Sequence, residues 1–283
     1  MNKDYFKILF AQIKLSLDYD SEKEFLVETD NYFDQMEEII NIISNNSYDV
    51  IIFPELSYHD KYNTFFLNNS INKIIVFGSV YMGNENFTVV YNNQKKYLVK
   101  KVFNSGVEPS IRFQENISIK DFFKHHLKDH TFKIRGKKFI VLNCAEYYKV
   151  AYFIARDEIK SKNLFGFLVP CANNNNQVFL NESMAIHNHN EDIYSFVVNS
   201  VATYKGEKYS EGGSYIFGIL SNFERKNINH PRLNQANNIC YLDNNSYIVE
   251  GMFYYGNLSK YFRSDNFRHT PKNFKIIKVG EKL

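Results

Sequence analysis

Residues 139–148, FIVLNCAEYY, decide how the rest of this chain reads. An apolar strand runs up to a cysteine, and the helix-like stretch YYKVAYFIARDEI, residues 147–159, follows. Cys144 therefore falls where a strand gives way to a turn and a helix start. A thiol held there, beside the N–H groups of the turn, has the surroundings in which a cysteine becomes a nucleophile. The plain alternative is a small apolar residue packed at a strand end. Two other strand-like runs end on complementary groups. DVIIFPE, residues 49–55, ends on Glu55, and KKYLVKK, residues 95–101, ends on Lys100 and Lys101. A carboxylate, an ammonium and a thiol at three strand ends make an acid–base–nucleophile set. Lys101 alternates with Val99 and Tyr97 and so shares their face. A slip of one residue would put Lys100 there instead.

The 283 residues contain no Pro/Gly/Ser-rich linker, with 5 Pro and 12 Gly in all, and read as one large α/β domain. Apolar residues, 44% of the chain, recur along its whole length and suffice for a large core, which Phe and Tyr would dominate. Net charge is +3, from 34 basic and 31 acidic residues scattered without a basic stripe, which argues against nucleic-acid binding. Cys144, Cys171 and Cys240 show no CxxC spacing, so neither a zinc knuckle nor a disulfide framework is expected. YFKILFAQIKL, residues 5–15, is too short and too interrupted for a signal peptide or membrane span. These features predict a soluble cytoplasmic protein with reduced thiols and no membrane contact.

YFKILFAQIKL alternates as a first strand, and residues 21–46 follow as a helix, with Phe33, Met36, Ile39, Ile40 and Ile43 forming its stripe. DVIIFPE is apolar throughout, as expected of a strand covered on both faces. KIIVFGSVYM, residues 73–82, is another strand. NFTVVYNNQKKYLVKKVF, residues 86–103, reads as a hairpin turning at Asn92-Asn93. Residues 104–130 look irregular or short-helical. KKFIVLNC is a strand, 147–162 a helix, LFGFLVPCA (164–172) a strand, 177–191 a helix and DIYSFVVNSVA (192–202) a strand. GGSYIFG (212–218) and residues 237–255 supply the remaining strands, and 255–283 reads as a C-terminal tail that wraps or packs on a partner. Strands alternating with helices, then hairpins, predict a layered α/β domain.

These segments, in this order, resemble the nitrilase, or carbon–nitrogen hydrolase, superfamily over residues 7 to 250. Ala11-Gln12 at a strand end looks like its first strand, and DVIIFPEL like the segment carrying its catalytic glutamate. The lysine segment, the strand-Cys-turn-helix, ESMAIHNHNEDIYSFVVNSVA (182–202) and GGSYIFG follow in family order. The resemblance implies a four-layer α-β-β-α sandwich, no metal or organic cofactor, and a homodimer or higher homo-oligomer. By position it makes Glu55 the general base, Lys101 the electrostatic stabiliser and Cys144 the nucleophile, with Lys100 as rival to Lys101. Glu108, seven residues beyond Lys101, would be an accessory glutamate. The chain departs from the family pattern at Ala145, in the segment 104–109 and in the NNNN run of 173–176, all of which bear on the substrate.

The implied reaction is hydrolysis of a small amide or carbamoyl compound, in preference to a nitrile, through a thioester on Cys144. Lys101 and the Ala145 N–H would hold the oxyanion, and Asn173 would contact substrate. A free thiol has a pKa of about 8.5 and needs such a base. Cys171, after a second strand, reads as packing or as a second thiol near the site. His187 and His189 are two apart on a helix and point to different faces, which argues against a metal site. The rival from another class is a catalytically silent nitrilase-fold module acting with a protein partner. Retention of Glu, Lys and Cys together speaks for the enzyme.

Overall fold

Alternation along FIVLNC sorts its side chains between two apolar layers. Phe139 and Val141 face a layer between two sheets, and Ile140 and Leu142 face a layer against helices. The computed structural model describes residues 5–20, 25–28, 31–83, 85–103, 117–158, 163–189, 193–218, 238–255 and 272–279. Its largest sheet has seven strands in the order β17 (Lys272–Lys278), β16 (Tyr247–Tyr254), β1 (Tyr5–Gln12), β4 (Val50–Glu55), β5 (Ile74–Met82), β6 (Glu85–Asn92) and β7 (Lys95–Lys100). A second has six, in the order β15 (Asn238–Tyr241), β14 (Tyr215–Phe217), β11 (Tyr194–Asn199), β10 (Leu164–Cys171), β9 (Lys137–Val141) and β8 (Thr131–Ile134). A small third sheet joins β13 (Glu207–Glu211), β12 (Val201–Tyr204), β2 (Lys14–Asp20) and β3 (Phe25–Glu28).

Three buried clusters define the layers. Phe6, Ile8, Val50, Ile52 and Val76 of the large sheet meet Phe139, Val141, Phe165, Leu168 and Phe196 of the second. The other face of the large sheet, with Leu9, Ile51, Phe53 and Phe77, packs on Met36, Ile39 and Ile43 of helix α1 (Asn31–Asn45) and Phe66 of helix α2 (Asn63–Asn68). A short turn, α3 (Ile119–Asp121), precedes β8. The outer face of the second sheet packs on Tyr147, Val150 and Ile154 of α4 (Ala145–Glu158) and Phe179 and Ile186 of α5 (Asn176–His189). The result is the expected α-β-β-α sandwich. Each such side chain contributes about 1.5–3 kcal/mol on leaving water.

The central strands are parallel: β1 with β4 and β4 with β5 in one sheet, β9 with β10 and β10 with β11 in the other. Their carboxyl ends therefore gather at one edge of each sheet, and loops leaving them build a common site.

Three expectations change. The helix foreseen from residue 21 begins at Asn31, because Phe25–Glu28 pairs antiparallel with Leu17–Asp20 instead. Residues 272–278, read as part of a tail that wraps or packs on a partner, pair antiparallel with β16 and form an edge strand of the chain's own sheet. The hairpin turn falls at Asn93-Gln94, one residue later than read, and both residues have positive φ (50° and 58°), as a two-residue turn of matching twist requires.

Candidate active site

Glu55 is the last residue of β4 and is buried. Its register partner on β5 is Gly78, across an irregularity in the β4–β5 pairing. A Cβ at Gly78 would lie 2.6 Å from Pro170 Cβ and 2.9 Å from Glu55 Cγ, so only glycine lets β5 pass between the glutamate and β10. Ser79 follows in the left-handed region (φ 48°), and its hydroxyl donates to Glu55 Oε1 at 2.6 Å. Asn86 Nδ2 donates to that hydroxyl oxygen in turn, at 3.1 Å. On the other side, the Ala172 N–H donates to Glu55 Oε2 at 2.8 Å. Donors from β5 and from the residue after β10 thus fix the carboxylate.

Lys101 completes this arrangement. Its main-chain N–H donates to Asn86 O at 2.8 Å, prolonging the hairpin by one residue and turning the side chain inward. The residue is 2% exposed, and its Nζ lies 3.2 Å from Glu55 Oε1. Lys100 points outward and pairs with Glu85 at the surface. Alternation along the strand, the same argument that favoured Lys101, is what separates them.

Cys144 is 5% exposed and adopts φ 48°, a conformation that costs a non-glycine residue on the order of 1–3 kcal/mol. Its N–H donates to Pro170 O at 2.9 Å, and its carbonyl accepts from Tyr147 N, starting α4. The thiol sits on a strand–turn–helix elbow tied to β10. Ala145, the first residue of α4, has an N–H with no carbonyl one turn before it.

The residue that sequence reading missed is Glu146. It is buried, and its two oxygens accept from Val102 N (2.8 Å) and Asn143 N (2.9 Å). One carboxylate thus joins the segment after Lys101 to the residue before Cys144. Burial pushes its pKa up to about 7, against the lowering effect of the two N–H groups and Lys101. His130 Nε2 is 3.7 Å away, and burial lowers that imidazole to about 3, so it is neutral. A charged residue two places after the cysteine, in an otherwise uncharged run, was the available signal.

Loop 172–176 is held by Asn199, at the end of β11. Its Oδ1 accepts from Asn173 N (2.9 Å) and its Nδ2 donates to Asn173 O (2.9 Å) and Gly212 O (2.6 Å). The Asn173 amide Nδ2 is buried without a hydrogen-bond partner among the described residues. Gln12 fastens the opposite flank: its Oε1 accepts from Ser214 N, and its Nε2 donates to Asp243 O and Asn245 O. Glu108 lies outside the described residues. So does the side chain of His189, while His187 is buried with its ring 5.6 Å from that of Phe217. Among the described residues no three metal-ligating side chains converge, and no helix is long and apolar enough to cross a membrane.

No protein-family model and no curated protein sequence matches this chain. Solved structures do. XC1258 from Xanthomonas campestris, a CN-hydrolase superfamily protein with an arsenic adduct in its active site, matches 93% of this chain and 98% of its own at a TM-score of 0.60 and 10% identity. The amidase from Nesterenkonia sp. AN1, in a mutant form that carries the acetamide moiety of fluoroacetamide on its active-site cysteine, matches over 94% and 95% at 0.58 and 10% identity. Nit3 of Saccharomyces cerevisiae, from branch 10 of the nitrilase superfamily, matches over 93% and 95% at 0.54 and 11% identity. The fold of this chain is the nitrilase fold, across nearly its whole length.

Proposed function

We propose that the chain is a cysteine-dependent carbon–nitrogen hydrolase that cleaves a small amide or carbamoyl compound through a thioester on Cys144. The observation that carries this reading is the buried Lys101–Glu55 pair, 3.2 Å apart, which the end of β10 links to the Cys144 elbow: the Ala172 N–H donates to Glu55 and Pro170 O accepts from the Cys144 N–H. A buried ion pair is a poor way to gain stability, so its retention beside a thiol points to chemistry.

In this reading Glu55 takes the thiol proton and Cys144 attacks the carbonyl carbon. The oxyanion is held by the Lys101 ammonium and the Ala145 N–H, each such donor being worth on the order of 10² to 10³ in rate. Glu55 returns the proton to the leaving amine and then takes one from the water that cleaves the thioester. Ser79 and the Ala172 N–H keep the carboxylate aimed while it changes partners. The free Asn173 amide supplies a donor for substrate, and Glu108 is assigned the accessory role. The likeness to an amidase whose active-site cysteine carries the acetamide moiety of fluoroacetamide supports the same class.

Release of amine or ammonia from a panel of small amides, carbamoyl compounds and nitriles tests the reading. Turnover of at least one amide, falling by about 10² or more in Glu55→Gln and Cys144→Ala, is expected. Turnover that survives Cys144→Ala would overturn it. Absence of turnover across the panel, with Cys144 no more reactive than Cys171, would favour the binding module.

A further inference from the structure

Cys171 is a fully buried thiol that the proposed reaction does not use. Its position follows from sheet register. Strands β9 and β10 are parallel, with Val141 opposite Leu168, and the ladder continues through the bonds Leu142 N to Leu168 O and Cys144 N to Pro170 O. Three residues on from each member of the Val141–Leu168 pair, Cys144 stands opposite Cys171. Opposed residues on adjacent strands lie about 4.8 Å apart at Cα, inside the 4.4–6.8 Å span of disulfides. Both cysteines belong to one apolar cluster. Burial, and then a hydrogen bond with the Cys144 sulfur, raise the Cys171 thiol well above its ordinary range. It therefore stays protonated and is a poor target for oxidants acting alone.

We propose that Cys171 is the resolving partner of Cys144, so that peroxide oxidation of the nucleophile is captured as a reversible Cys144–Cys171 disulfide. The inference rests on the reading of Cys144 as the reactive thiol. In the first step the Cys144 thiolate attacks one oxygen of hydrogen peroxide, the O–O bond breaks, and Cys144 sulfenic acid and hydroxide form. The hydroxide takes up the proton that left Cys144, giving one water. In the second step the Cys171 sulfur attacks the sulfenic sulfur and the S–O bond breaks. The departing hydroxide takes the Cys171 proton as the second water. Two thiols lose two electrons and two protons to one peroxide. A dithiol reductant restores the pair. Without a partner, sulfenic acid proceeds to sulfinic acid, which such a reductant does not reverse.

The experiment treats the full chain with a small excess of hydrogen peroxide, then measures intact mass and maps peptides without reduction. Wild type is expected to lose two hydrogens and to yield a cross-linked peptide pair containing Cys144 and Cys171, while Cys240 stays free. Dithiothreitol then returns Cys144 labelling to nearly its starting level. In Cys171→Ala, dithiothreitol returns about a tenth or less, with two oxygens retained on Cys144. The wild-type peptide map decides the matter even if that variant fails to fold. Rapid alkylation of Cys144 together with sulfinic acid and no cross-link would overturn the disulfide and leave the hydrolase reading intact. A Cys144 inert to both alkylation and peroxide would overturn both.

Discussion

Replacing Glu146 by glutamine separates the energetic burden of this carboxylate from its geometric use. Burial raises its pKa from 4.5 to about 7, so the folded protein binds a proton there that the unfolded chain releases. A group raised in this way stabilises the fold fully below pH 4.5, and that contribution is lost as pH rises through 7. At pH 5 the loss is about 1 kcal/mol and at pH 8 about 3 kcal/mol, from the same two pKa values. The amide of Glu146→Gln never ionises. The stability difference between variant and wild type therefore shifts by about 2–3 kcal/mol in favour of the variant between pH 5 and pH 8. His130 is neutral in the folded state over this range, and Glu182, also raised by burial to about 7, titrates in both proteins and cancels. Urea unfolding at the two pH values, followed by tyrosine fluorescence or circular dichroism, measures the shift. A difference that stays constant would refute the assignment. Activity is expected to fall even where stability rises, because an amide presents one acceptor to two N–H groups and loosens the tie between Lys101 and Cys144.

Gly78→Ala places a methyl 2.6 Å from Pro170 and 2.9 Å from Glu55, and displacing that carboxylate is expected to lower turnover about 10²-fold in steady-state kinetics. Lys101→Met strands a buried carboxylate and is expected to cost about 3–5 kcal/mol in denaturant unfolding. Lys100→Met removes only a surface pair, worth about 0–1 kcal/mol, and leaves turnover unchanged. Loss of turnover in Lys100→Met, with turnover kept in Lys101→Met, would move the role to Lys100. Asn199→Ala removes the acceptor of the Asn173 N–H, while Asn173 O keeps Ser210 Oγ and Gly212 O keeps Asn176 Nδ2, and is expected to cost about 1–3 kcal/mol, with faster amide exchange in loop 172–175.

The sandwich was legible where physics wrote it into consecutive residues. DVIIFPE and LFGFLVPC are buried on both faces and so read as unbroken apolar runs. Lys101 was legible through strand alternation, which also turns Lys100 outward. The short strands β2, β3, β12 and β13 carry polar residues, and the pairing that joins their two hairpins, Lys14–Leu17 with Val201–Tyr204, spans most of the chain, so no local pattern announces the sheet. Gly78 and Ser79 gain their roles from an irregular register between β4 and β5, and Glu146 from two N–H groups on separate segments. The opposition of Cys144 and Cys171 depends on the β9–β10 register, which the spacing of 27 residues does not reveal.

A covalent acyl intermediate on Cys144 would register in the intact mass of the protein quenched during incubation with the amide panel. An added acyl mass is expected that maps to the Cys144 peptide, disappears in Cys144→Ala, and requires Glu55. An adduct on Cys171 or Cys240, or turnover of an amide with no adduct at Cys144 under rapid quench, would contradict it.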